Sequence, residues 1–144
     1  MTFLPAAAVS LISSPAPTAT PAYQASIVNS GSTNTRGYVV QLSRSGTVRV
    51  DAQDGSGLRT IDVDPVLVKK FFAMLDAAVP LAALPRTSCP RSKSFGYSIN
   101  VDYDGTKTPD LRCPVTQQES DLASVSAEIT MAAHLSDRAP RHAP

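Results

Sequence analysis

Cys89 and Cys113 are the only cysteines in the chain, and they bracket its clearest β pattern. From Ser94 to Tyr103 large apolar residues hold the odd positions: Phe95, Tyr97, Ile99, Val101 and Tyr103. Small or polar residues hold the even ones: Ser94, Gly96, Ser98, Asn100 and Asp102. A period of two marks a half-buried strand, and Asp104-Gly105 after it is a hairpin signal. Two cysteines flanking a hairpin predict a Cys89–Cys113 disulfide and an oxidising compartment. Such a bond closes a loop of about 25 residues and contributes on the order of 3–4 kcal/mol. A catalytic or metal-binding thiolate would need histidine partners, and the chain has only His134 and His142. No Cys-x-x-Cys or zinc spacing is present, so the structural bond is favoured over a reactive thiol or a metal site.

Export is the second expectation. Met1 to Gln24 carries no charged side chain. Phe3 to Ile12 resembles the apolar middle of a signal peptide, and the Ala/Ser/Pro/Thr run to Ala22 resembles its processing region. No Lys or Arg precedes the apolar run, so either the true start lies upstream of Met1 or the segment is only a disordered Ala/Pro tail. The expected organisation is a signal-like or disordered segment over 1–24, one domain over 25–135, and a disordered tail over 136–144. The destination is secreted or periplasmic. Thirteen basic and twelve acidic residues leave a net charge of +1, unlike the basic excess of a nucleic-acid binder. No apolar run reaches the ~18 residues of a spanning helix, so no integral membrane segment is expected in the mature chain.

The body of the chain alternates strand and helix signals. Ala25–Val28 reads as a short strand. Tyr38, Val40 and Leu42, then Val48, Val50 and Ala52, form a hairpin whose apolar sets share a face if even residues pair with even. A three-residue loop, Arg44-Ser45-Gly46, gives that register and places Gly46 where a left-handed backbone is needed. Leu58–Val63 reads as a third strand. Asp64-Pro65 opens a helix, with Asp as N-cap and Pro in the first turn. Val68, Phe71, Phe72, Leu75 and Val79 fall on its core face until Pro80 stops it. For the second hairpin a three-residue loop, Tyr103-Asp104-Gly105, pairs Ile99 with Pro109, Tyr97 with Leu111 and Phe95 with Cys113. Pro109 cannot donate to a ladder, which places its strand at an edge. Thr116-Gln117-Gln118-Glu119 fits a capping box, and Leu122, Val125, Ile129, Ala132 and Ala133 make the stripe of a second helix. The expected fold is α+β: an antiparallel four- to five-stranded sheet built from two hairpins, with two helices packed on one face.

Few motifs carry chemistry. Asp102-Tyr103-Asp104-Gly105 resembles a calcium-loop opening but lacks the later ligands, so it reads as a turn. Asp62 and Asp64 share a strand parity, yet Asp64 already serves as a helix cap. Ser30, Ser32 and Ser94 lie near glycines without a nucleophile-elbow motif, and a Ser/His/Asp site would have to borrow His134. No phosphate-cradling or dinucleotide glycine motif occurs, so neither cofactor nor metal is expected. The strongest surface candidate is Pro85 to Lys93. It is a proline-stiffened, cysteine-tethered loop presenting Arg86, Arg91 and Lys93. Such a loop suits an anionic glycan, a phosphate or the acidic pocket of a trypsin-like protease. A solvated basic connector is the alternative.

Gly37-Tyr38-Val39-Val40, the glycine hairpin, the Phe71-Phe72 helix, Cys89, Ser94-Phe95-Gly96 and Pro109 to Pro114 together resemble small exported bacterial domains of unknown function. The resemblance spans Tyr38 to Pro114. It implies export and an α+β fold, and it brings no catalytic residues with it. The expected function is a non-enzymatic binding or interaction module of the envelope or exterior, with an unidentified protein or glycan partner. An inhibitor or anion-capture module acting through Arg86–Lys93 is the alternative, and a small hydrolase stands third.

Overall fold

The computed structural model describes residues 22–34, 36–92, 94 and 96–137. Its elements are β1 (Ala25–Asn29), β2 (Tyr38–Leu42), β3 (Val48–Asp51), β4 (Leu58–Ile61), α1 (Pro65–Ala78), β5 (Ile99–Tyr103), β6 (Thr106–Lys107) and α2 (Gln117–Asp137). All strand pairs are antiparallel, in one sheet of order β4-β3-β2-β1-β5-β6. The class is the expected α+β, with six strands among the described residues rather than four or five. The expectations for 1–21, Lys93, Phe95 and 138–144 lie outside the described residues.

The first hairpin follows the sequence pattern. Leu42 pairs with Val48 and Val40 with Val50, even with even. Gly46 closes the loop at φ +96°, where a side chain would be strained, and its N–H donates to Ser43 O at 2.9 Å. Arg44, in the same loop, reaches across to α1. Its guanidinium forks onto Asp76 at 2.6 and 3.1 Å, donates to the Tyr103 hydroxyl at 3.0 Å, and lies 4.6 Å from the Phe72 ring centroid. One loop residue thus ties the hairpin to helix and sheet, and its hydrogen bonds hold the Asp76 carboxyl below its ordinary range.

The second hairpin departs from expectation. The strand starts at Ile99, not Ser94. The loop is two residues, Asp104-Gly105, since Tyr103 pairs with Thr106 and Asp102 with Lys107. Both loop residues are left-handed, φ 49° and 79°, which matches the twist of the flanking strands. The expected Ile99–Pro109 and Tyr97–Leu111 pairs therefore do not form. An unbroken ladder in this register would turn Leu111 away from the core. One extra residue at Thr108-Pro109 corrects the parity: Thr108 N–H donates to Val101 O, whereas Leu111 N–H donates to Ile99 O. Side chains replace the lost backbone acceptors. Val101 N–H donates to Thr108 Oγ1 at 3.0 Å, and Ile99 N–H donates to Asp110 Oδ1 at 3.1 Å. Leu111 ends buried, as the hydrophobic pattern demands, by a different route.

The helices cover one face. Asp64 caps α1 by accepting the Val66 N–H at 2.8 Å. Thr116 Oγ1 accepts the Glu119 N–H, and Glu119 Oε2 accepts those of Thr116 and Val115, completing the capping box of α2. Val68, Phe71, Phe72 and Leu75 of α1 meet Leu122, Val125 and Ile129 of α2 over Ile27, Val40, Leu42, Val48 and Val101 of the sheet. No described helix is long and apolar enough to cross a membrane.

Candidate functional site

Alternation through Tyr97-Ser98-Ile99-Asn100 gives this part of the chain two different surroundings. Tyr97 and Ile99 line a cleft beneath α2, whereas Ser98 and Asn100 line a polar basin on the opposite face. The extra residue at Thr108-Pro109 continues the division: Asp110 belongs to the basin, and Leu111 and Arg112 to the cleft.

The basin holds about 270 Å³. The Cys89–Cys113 disulfide forms as predicted and fastens the segment around Cys89 to the chain just after the β5–β6 hairpin. That tether brings Arg86 and Arg91 to one wall, facing Ser98, Asn100, Thr108 and Asp110. Arg86 Nη2 donates to Lys107 O at 3.3 Å, which orients one guanidinium. Lys93 lies outside the described residues. The sequence identified the arginines but not the polar floor. Ser98 and Asn100 share a strand parity, the only signal that placed them together.

The cleft holds about 310 Å³ between α2 and the β1, β2 and β5 strands. Its walls are Tyr38, Tyr97, Ile99 and Leu111, the small residues Ala123 and Ala127, and Met131. Asn29 and Ser126 add polar atoms, and both residues are buried. Asn29 Oδ1 accepts the Gly31 N–H at 2.8 Å, while Ser126 Oγ is buried with no hydrogen-bond partner. The sequence marked Tyr38, Tyr97, Ile99 and Leu111 only as strand residues and did not bring them together, because the lining comes from three strands, a loop and a helix.

Arg112 and Asp110 connect the two sites. The guanidinium forks onto the carboxylate at 2.8 and 3.2 Å, lies 5.0 Å from the Tyr97 ring centroid, and donates to Cys89 Sγ at 3.3 Å. Burial pushes the Asp110 carboxyl up, but hydrogen bonds from Arg112 and from the Ile99 and Arg112 backbone outweigh it. The net is a carboxyl below its ordinary range and an Arg112 guanidinium above its own.

The remaining candidates have structural roles. Ser30 Oγ accepts the Ser98 N–H at 2.9 Å, and Ser32 Oγ donates to Ser94 O at 3.0 Å, pinning the 29–34 loop beside the tethered segment. Asp102 Oδ1 accepts the Gly105 N–H, a turn contact as expected. Asp64 is the α1 cap, Asp62 is exposed, and Phe71 and Phe72 are core. The His134 side chain lies outside what is described. Among the described residues no cluster of His, Cys, Asp and Glu has the makings of a metal site. The chain matches no protein-family model, no curated protein and no solved structure.

Proposed function

We propose that this chain is an exported, non-enzymatic binding module whose basin captures an anionic group of a protein or glycan partner in the periplasm or outside the cell. The observation that carries the reading is the convergence of Arg86 and Arg91 on one polar cavity, held there by the disulfide. Two guanidiniums offer forked donors to a carboxylate, sulfate or phosphate. The Asp110 carboxylate across the basin is neutralised by Arg112, so the two arginines set the sign of the basin. Ser98, Asn100 and Thr108 supply neutral polar neighbours. Export is supported by the disulfide, which persists in oxidising compartments.

The test is calorimetric titration of the full chain with a sulfated disaccharide and, separately, with inorganic phosphate. Charge-assisted hydrogen bonds contribute about 1.5–3 kcal/mol each, so Arg86→Ala or Arg91→Ala should weaken binding roughly tenfold or more. The double variant should abolish it. Both side chains are exposed, so the melting temperature should stay constant. Undiminished binding in both single variants and the double overturns the basin as the ligand seat.

A further inference from the structure

The polar atoms of the basin fall into two sets, those paired within the chain and those left for a ligand. Asp110 belongs to the first: its Oδ1 accepts the Ile99 and Arg112 N–H groups, and its Oδ2 the Arg112 guanidinium. So does Thr108, whose Oγ1 accepts the Val101 N–H and donates to Pro109 O at 2.9 Å. Asn100 is half committed. Its Nδ2 donates to Thr108 O at 3.0 Å, and the opposite amide orientation would set two oxygens face to face. What Asn100 offers the basin is therefore an acceptor, Oδ1. Ser98 is paired through its backbone alone: its N–H donates to Ser30 Oγ and its C=O accepts the Ser30 N–H. Its hydroxyl has no partner among the described residues and is open to solvent, in a residue that lines the basin.

The atoms that remain are donors on one wall and an acceptor on the other. Arg86 keeps the donors not spent on Lys107 O, and Arg91 makes no hydrogen bond among the described residues. Asn100 Oδ1 accepts, and Ser98 Oγ can do both. A bare sulfate satisfies the arginines but gives Asn100 no donor. A rigid frame carrying both an anion and hydroxyls serves both walls. Ser98 and Asn100 stand on one face two positions apart, roughly 7 Å along extended chain, the scale of one sugar ring. The volume near 270 Å³ also suits one ring rather than a larger ligand. The described lining holds no aromatic residue and no Leu, Ile, Val or Met, so an apolar ligand finds little to bury against.

We propose that the basin takes a single acidic sugar unit, its anionic group on Arg86 and Arg91 and a ring hydroxyl donating to Asn100 Oδ1 beside Ser98. The assignment rests on the anion reading of the basin and narrows its partner from protein or glycan to glycan.

The test titrates the full chain with three carboxylates, followed by ¹H–¹⁵N spectra. Methyl glucuronide is the acidic sugar. Cyclohexanecarboxylate has the six-membered ring and the charge without hydroxyls, and N-acetylglutamate amide stands for an acidic peptide. Methyl glucuronide should bind about tenfold or more tightly than either, the worth of one or two neutral hydrogen bonds. Ser98→Ala keeps the backbone pairing with Ser30, so the fold should survive. It should weaken methyl glucuronide about three- to tenfold and leave cyclohexanecarboxylate unchanged. Asn100→Ala should do the same, whereas Arg86→Ala should weaken all three acids. Equal binding of the three acids, all weakened by Arg86→Ala, overturns the sugar assignment and leaves the anion reading standing. A peptide-like acid as tight as methyl glucuronide overturns it too, as does a preference that survives both Ser98→Ala and Asn100→Ala. Failure of all three to bind also overturns it. If phosphate and the sulfated disaccharide fail as well, the anion reading falls with it.

Discussion

Asp110 is the residue on which most local structure depends. Its carboxylate accepts the Ile99 and Arg112 N–H groups, replaces a missing ladder acceptor, and holds Arg112 over Tyr97. Its folded pKa is depressed, so the unfolded chain binds a proton more readily than the folded one in acid. The stability it contributes is therefore complete above the ordinary carboxylate value and disappears as pH falls through the lower folded value. Asp110→Asn should cost about 1.5–3 kcal/mol at pH 7, the worth of hydrogen bonds to a charged group. The penalty should be smaller at an acid pH below the ordinary carboxylate value. Urea melts of both proteins at the two pH values check this, and a penalty independent of pH would refute the assignment. Asp110 had a sequence context, Pro109-Asp110-Leu111-Arg112, but a string of residue types carries no trace of which backbone amides the carboxylate will meet.

At the scale of elements, helices were legible and one hairpin was not. Asp64-Pro65 and the Thr116–Glu119 box encode helix starts through contacts within four residues, so the sequence contains them whole. The first hairpin was equally local: a three-residue loop with glycine at its left-handed position satisfied pattern and turn together. In the second, the hydrophobic pattern demanded that Leu111 face the core, and a three-residue loop was the simplest device. The chain instead joins a two-residue left-handed turn to an extra residue at Thr108-Pro109. Both devices shift parity by one, so apolar pattern alone does not distinguish them. Asp104→Gly separates them. With Asp104 at φ 49°, glycine relieves a left-handed backbone that costs about 1–2 kcal/mol for an ordinary residue. The variant should be as stable as the parent or better by up to ~1 kcal/mol. A clear loss in a chemical melt would mean that position 104 has a right-handed backbone and that the three-residue loop is correct.

For the whole molecule, the disulfide joins stability to the basin. Reduction should lower stability by about 2–5 kcal/mol, the usual range for a small secreted domain. It should also release Arg86 and Arg91 from a common wall, so anion binding should fall even at temperatures where the fold survives. The companion measurement is the intact mass of the protein from its own host before and after reduction. A chain without its first ~20–25 residues, as signal-peptide length predicts, gaining mass on reduction by one disulfide's hydrogens, supports export. An uncleaved chain with two unpaired thiols refutes it. The sequence by itself determined the α+β class, both helices with their caps, the first hairpin's register and the Cys89–Cys113 pair, because each is written in short-range periodicity or in the absence of any other partner. The tertiary structure alone decided that β1 lies in the sheet interior between β2 and β5, that an extra residue turns Leu111 inward, and that two sites open on opposite faces of the β5 end. Those outcomes depend on which distant segments pack together, and packing is settled by the summed burial of the entire core rather than by any window of residues.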